Sequence, residues 1–266
     1  MESKWSFNMV SSESITILKL GGSVITDKRA ADGVVRVNEI QRIAKEISGF
    51  RGKLIIVHGA GSFGHPQAKR FALNEEFNVT GSIVTHLSVK ELCRIVVDIL
   101  NDNGICAVGV HPMCCMLADN GRIKTMFLEQ INCMLERGIV PVLHGDVVMD
   151  SSLGTSVISG DQIVPYLAKQ MKASLLGIGS ATEGVLDDKG STIPIITSKN
   201  FEKVKKHIRG SENTDVTGGM LGKVQEMLDL SDSTYTTSHI FDAGKAGNIE
   251  RFLKGEKIGT AITKEH

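Results

Sequence analysis

The sequence has no excess charge of either sign: 30 lysines and arginines balance 30 aspartates and glutamates over 266 residues. Nucleic-acid and membrane-surface proteins usually show a basic excess, so neither partner is expected. Aromatic residues make up only 5%, too few for stacking platforms that hold bases. Five cysteines occur, at 93, 106, 114, 115 and 133. None forms a C-x-x-C pair, the count is odd, and no closely spaced Cys/His set is present. Neither a disulfide framework nor a zinc site is therefore expected, and the thiols read as buried groups in a reducing cytoplasm. No run of about 18 apolar residues exists, so no transmembrane helix is predicted. Residues 1–13 are polar with a single lysine; they read as a flexible extension rather than a signal peptide. No G-x-x-x-x-G-K-[ST] segment is present, so a P-loop enzyme is not expected.

What the chain does have is three glycine-rich loops. Lys19-Leu20-Gly21-Gly22-Ser23 follows the apolar run that starts at Ile15. His58-Gly59-Ala60-Gly61-Ser62-Phe63-Gly64-His65 follows Leu54-Ile55-Ile56-Val57. Asp215-Val216-Thr217-Gly218-Gly219-Met220 precedes an amphipathic stretch. Glycine lets backbone N–H groups approach a polyanion closely, and a helix N-terminus adds the positive end of its dipole. Three such loops, two with a lysine close by (Lys19 and Lys223), suggest a site for more than one phosphate group.

Strand and helix patterns alternate from Ser14 onward. Ile15–Leu20, Lys53–Val57, Ile105–Val110, Ile139–Leu143, Ser174–Ile178, Ser238–Phe241 and Ile258–Ile262 read as strands. Helices are predicted over Asn38–Ser48 (with Asn38 as N-cap), Ser88–Asn101, Lys124–Arg137, from Ser159-Gly160-Asp161 to about Met171, and over Ile249–Leu253. Val147–Met149 and Thr155–Ile158 flank a turn and read as a hairpin. This alternation predicts an α/β fold, an open three-layer αβα sandwich around a mainly parallel sheet, as a single domain over 14–266. Ligands in such sheets bind at the carboxyl ends of the strands, where the first two loops should lie.

Several residues admit two readings. Lys19 is either a surface lysine at a strand end or part of a phosphate cradle with the glycines after it. Lys223 is either an exposed helix lysine or a group whose stem runs back to the helix start. Asp161 is either a first-turn carboxylate or the anion that holds both lysines. His58 reads as structural, whereas His65, beyond the last glycine, can donate to a phosphate oxygen. Gly59-x-Gly61-x-x-Gly64 matches a dinucleotide fingerprint. No acid ends a following strand at the right distance, and Pro66 interrupts the helix that should follow, so a Rossmann oxidoreductase is not expected.

The segments ILKLGGSVITDK (17–28), VHGAGSFGHP (57–66), VPVLHGDVV (140–148), ISGDQIVPYLA (158–168) and DVTGGMLGK (215–223) resemble the amino-acid kinase superfamily. Within it they are similar to the isopentenyl phosphate kinases of archaeal type. The resemblance implies the amino-acid kinase fold, a homodimer, and transfer of a phosphoryl group from ATP to isopentenyl phosphate, with Mg²⁺ carried by the nucleotide and no dedicated metal cage. It implies that Lys19, Lys28, His65, Asp161 and Lys223 are catalytic. Lys19, Leu20, Gly21, Gly22, Ser23, Gly61, Gly219 and Lys223 would bind ATP, and Ala60, His65 and Gly160 the acceptor phosphate. A related phosphonate kinase of the fosfomycin type is the alternative. The tail pocket is expected among Ile83, Val84, Leu87, Val110, Met113 and Met116. The chain departs from the family at Ala181, where relatives carry an aspartate in a region that meets the nucleotide.

Overall fold

A computed structural model describes residues 14–27, 33–73, 75–208, 219–234 and 236–264. The chain begins with β1 (Ile15–Leu20), the one-turn α1 (Gly22–Ile25), and a short antiparallel pair of β2 (Thr26–Asp27) and β3 (Val34–Val35). Helix α2 (Val37–Ile47), β4 (Lys53–His58), α3 (Gly61–Arg70) and the long α4 (Val79–Asp102) follow. Next come β5 (Ala107–Gly109), α5 (Pro112–Cys115), β6 (Met116–Asp119), β7 (Arg122–Met126) and α6 (Leu128–Glu136). The middle closes with β8 (Val140–His144), β9 (Asp146–Asp150), β10 (Gly154–Ile158) and α7 (Gly160–Gln170). The remainder is β11 (Leu175–Ser180), β12 (Ile195–Ile196), α8 (Phe201–Ile208), α9 (Gly219–Ser233), β13 (Thr237–Asp242), α10 (Asn248–Leu253) and β14 (Thr260–Ile262).

Eight strands form the central sheet in the order β12-β14-β13-β11-β1-β4-β8-β5. Every neighbouring pair is parallel except β13 with β14. A second sheet, β10-β9-β6-β7, contains the anticipated hairpin, with Gly154 opposite Asp150 and Ile158 opposite Asp146.

The pleat assigns each strand residue to one of two cores. Ile15 and Ile17 of β1, with Ile55 and Val57 of β4, enter the core shared with α7 and α9, which contribute Ile163, Val164, Leu167, Val224 and Met227. Leu18 and Leu20, with Leu54 and Ile56, enter the opposite core with Ile40 and Ile43 of α2 and Leu92 and Val96 of α4. Helices thus cover both faces, and strands buried on both sides read as continuous apolar runs. Lys19 shares the parity of Ile17, so its side chain belongs to the α7–α9 face.

Several strands differ by a residue or two from the sequence reading, and the helices differ more. Helix α2 starts at Val37, so Asn38 is inside the first turn and Arg36 is the cap. Helix α4 starts nine residues earlier than anticipated, capped by Asn78, whose Oδ1 accepts from the Gly81 N–H at 2.7 Å. Its first turns bury Gly81, Ser82 and Thr85 and expose Val79, Ile83 and Leu87, an inverted pattern that hides the apolar stripe. Residues 124–126 belong to strand β7, because Met126 pairs with Met116, and the helix begins only at Leu128. Pro66 does not break helix α3, which runs through it with the ring on the exposed side.

Candidate active site

In the sheet register Leu20 lies beside His58, and His58 beside His144. The loops after β1, β4 and β8 therefore leave from one rim. The Gly21 N–H donates to the Gly179 carbonyl at 2.8 Å, the Gly59 N–H to the Leu20 carbonyl at 2.9 Å, and the Gly145 N–H to the His58 carbonyl at 3.0 Å. The first two loops interleave without room for side chains. A Cβ on Gly22 would lie 2.6 Å from the Gly61 backbone, and one on Gly59 would lie 2.6 Å from the Gly22 nitrogen. Gly61 also takes a positive φ of 51°, which glycine adopts at no steric cost. Thr26 ties the loops together: its hydroxyl donates to the Gly22 carbonyl at 2.7 Å and accepts from the Ser62 N–H at 3.2 Å.

Helix N-termini converge on this rim. Gly61 opens α3 and Gly160 opens α7. A Cβ on Gly145, which lies between them, would be 3.5 Å from the Gly160 nitrogen and 3.7 Å from the Ala60 nitrogen. Main-chain amides and two positive dipole ends are thus presented together, the arrangement that favours an anion. His65, on the second turn of α3, is solvent-exposed.

On the α7–α9 face, Lys19 Nζ meets Asp161 Oδ1 at 2.5 Å and Lys223 Nζ lies 3.6 Å from Asp161 Oδ2. Lys19 is 5% exposed, and a Cβ on Gly160 would press on its stem, 3.2 Å from Cε. Burial opposes the charge on Asp161, but Lys19 and Lys223 outweigh it, and the carboxyl is held below its usual range. One carboxylate therefore restrains two ammonium groups whose combined charge exceeds its own. Gly219 opens α9 with a positive φ of 57°. Lys28 and residues 215–218 of the third loop lie outside the described residues.

The anticipated tail residues do not share one environment. Ile83 and Leu87 are 54% and 55% exposed and Val84 36%. Val110 and Met116 are in the α7-side core, and Met113 packs in a separate small cluster with Ala68, Phe71, Leu73, Val147 and Val157.

Behind the rim runs a chain of histidines that spacing alone did not reveal. His58 stacks on His144 with centroids 5.4 Å apart, and His111 Nδ1 lies 2.9 Å from His144 Nε2. His86 Nδ1 is 2.9 Å from Asp146 Oδ2. Burial pushes the His58 imidazole down to about 4 and holds His144 well below its ordinary value, so both are neutral at physiological pH. His58 is structural, as anticipated: it is fully buried and its Nδ1 faces the Gly59 carbonyl at 3.1 Å.

The model of the amino acid kinase family matches residues 14–242. The chain is 38% identical over 265 residues to an isopentenyl phosphate kinase of Methanothermobacter thermautotrophicus, covering 94% of this chain and 99% of the relative. It is 36% identical over 264 residues to an isopentenyl phosphate kinase of Methanocaldococcus jannaschii, covering 93% and 98%. A solved structure of an isopentenyl phosphate kinase superposes with a TM-score of 0.81 at 35% identity, over 94% of this chain and all of the other. The chain belongs to the amino acid kinase family, in its isopentenyl phosphate kinase branch.

Proposed function

We propose that the protein transfers the γ-phosphoryl group of Mg-ATP to isopentenyl phosphate, giving ADP and isopentenyl diphosphate. The observation that carries this reading is the pair of lysines on Asp161, set beside two helix N-termini and an interleaved glycine cradle. The relatives named for this activity support it over nearly the whole chain. In the reaction an oxygen of the acceptor phosphate bonds to the γ-phosphorus while the bond to the bridging oxygen of ADP breaks. The acceptor is already ionised at neutral pH, so no strong general base is needed. The work is positioning two anions and stabilising charge in a loose transition state.

In this reading Lys19 and Lys223 neutralise the transferring group, with Lys28 as a third cation. Asp161 is a positioning residue that fixes both ammonium groups. Amides at Gly21, Gly22, Ser23, Gly61 and Gly219, with the Leu20 backbone, hold the ATP phosphates. The Ala60 and Gly160 amides and the His65 imidazole hold the acceptor phosphate. Mg²⁺ arrives on the nucleotide, as its preference for phosphate and water oxygens favours. The cluster around Ala68, one turn beyond His65, and including Phe71, Leu73, Met113, Val147 and Val157, is assigned to the isoprenoid tail.

We further propose a homodimer, supported by Val79, Ile83 and Leu87 exposed at four-residue intervals along α4. A cytoplasmic location is supported by five free cysteines. No helix among the described residues is long and apolar enough to cross a membrane. The functional test is ADP release from Mg-ATP with a panel of acceptors. Turnover dependent on isopentenyl phosphate is expected; far better turnover of fosfomycin or another phosphonate would overturn the assignment. Sedimentation of the purified chain checks the dimer.

A further inference from the structure

Behind the rim, three side chains distant in sequence come together: Cys93 in α4, His111 just after β5, and His144 at the end of β8. The thiol sulfur and one nitrogen of each imidazole all lie within 4.8 Å of one another. Cys93 and His144 are buried, while His111 is half-buried. We propose that these three residues form a binding site for one zinc-class dication, separate from the Mg²⁺ that accompanies ATP.

The donor set selects the ion. One thiolate and two imidazoles suit zinc and its neighbours, whereas magnesium requires oxygen ligands. With Zn–S near 2.3 Å and Zn–N near 2.0–2.1 Å, the edges of a tetrahedral site are roughly 3.3–3.6 Å long. The 2.9 Å nitrogen–nitrogen edge needs to open by roughly 0.4 Å, and edges of up to 4.8 Å to close by roughly 1 Å, to meet that geometry. His111 Nδ1 and His144 Nε2 already point at each other across 2.9 Å with a proton between them; a cation takes its place as that proton moves to His111 Nε2, the other tautomer of the neutral ring. His144 Nδ1 is 3.1 Å from the Gly145 carbonyl. A proton held there leaves the lone pair on Nε2, the orientation that metal-binding histidines adopt. Gly109 keeps the space open, because a Cβ there would stand 3.4 Å from the Cys93 sulfur and 3.3 Å from His111 Cε1. The Asp146 carboxylate, 4.0 Å from His144 Nδ1, offsets part of the added charge. Binding releases one proton, from the thiol, and both imidazoles remain neutral. Three protein ligands leave a fourth position for water.

The site is tested with Co²⁺ as a spectroscopic stand-in for zinc, without ATP or acceptor, so the outcome is independent of the proposed activity. The exposed thiols are removed by Cys114→Ser and Cys133→Ser. Titration of chelator-treated protein is expected to show one equivalent bound, with intense four-coordinate visible bands and a thiolate charge-transfer band in the near ultraviolet. Zinc should displace the cobalt and raise the melting temperature, and a chelator should reverse the rise. Cys93→Ser should abolish the charge-transfer band, and His111→Asn should weaken Co²⁺ binding by more than about tenfold. His111 is half-buried, so that variant carries the test even where Cys93→Ser fails to fold. A spectrum of octahedral aqueous cobalt, or unchanged affinity in His111→Asn, would overturn the proposal.

Discussion

Lys19 and Lys223, from opposite ends of the chain, sit on the two oxygens of a single carboxylate, Asp161, at 2.5 Å and 3.6 Å. The pleat turns Lys19 toward α7 and α9, and those two helices bring the carboxylate and the second ammonium. The cluster is therefore a product of the fold rather than of local sequence.

Stability and activity should separate within this cluster. Replacing Asp161 by leucine removes the carboxylate that meets the buried Lys19 ammonium at 2.5 Å and should cost about 3–5 kcal/mol. Lys19→Met keeps the volume and leaves Asp161 facing Lys223, so its denaturant midpoint should fall by less than that of Asp161→Leu. Its turnover should nevertheless fall about a hundredfold or more, the usual cost of losing one preorganised charge-stabilising donor. Denaturant melts and steady-state kinetics on both variants check this. A Lys19→Met enzyme with normal kcat would remove the lysine from the reaction.

The interleaved loops give a second test. In Gly22→Ala the new methyl would meet the Gly61 backbone at 2.6 Å, and no flexible side chain is there to yield. The loops must separate, at a cost of about 1–3 kcal/mol. The KM for ATP should rise at least tenfold with a smaller change for the acceptor. Gly49→Ala is the control, because no atom lies within 4 Å of its Cβ position. Equal behaviour of the two variants would show that the close approach is unimportant.

The parallel sheet, the hairpin and the rim loops were legible because buried strands are continuous apolar runs punctuated by glycine. The early turns of α4 were not, since Ile83 and Leu87 face outward while Gly81, Ser82 and Thr85 face the core; periodicity reports a buried stripe, and here the stripe is small and polar. Residues 124–126 failed for another reason: their strand exists through pairing with β6, a non-local cause. Lys19 and Asp161 could be nominated from glycine neighbours, but their contact depends on strand parity. Cys93, His111 and His144 come from three separate elements, so no spacing rule could join them.

His65 should act on the acceptor rather than the nucleotide. It lies on α3, whose N-terminus presents the Ala60 and Gly61 amides. His65→Ala should raise the KM for isopentenyl phosphate and lower kcat, with the KM for ATP little changed. Kinetics with each substrate varied in turn, and circular dichroism to confirm the fold, decide it. A variant impaired only toward ATP would place the imidazole on the other phosphate.

Acid stability should depend on Asp150, far from the rim. Its carboxylate accepts from the Ser156 hydroxyl at 2.6 Å, the Gly121 N–H at 2.8 Å, the Ser152 and Leu153 N–H groups at 2.9 Å, and the Asn120 N–H at 3.2 Å. Burial opposes its charge, but these donors outweigh burial and hold the carboxyl far below the usual range. In the unfolded chain the same group titrates near its ordinary value of about 3.9. Above that pH it is ionised in both states and its stabilisation is complete. As the pH falls below it, the unfolded chain takes up the proton first and the stabilisation declines. Asp150→Asn carries no such proton and loses one acceptor oxygen. At pH 7 its urea midpoint should therefore lie below wild type, and by pH 3 the two midpoints should draw together. The hairpin and the β6–β7 turn meet at this carboxylate, so a gap that stays constant with pH would mean that the turns are held by packing instead.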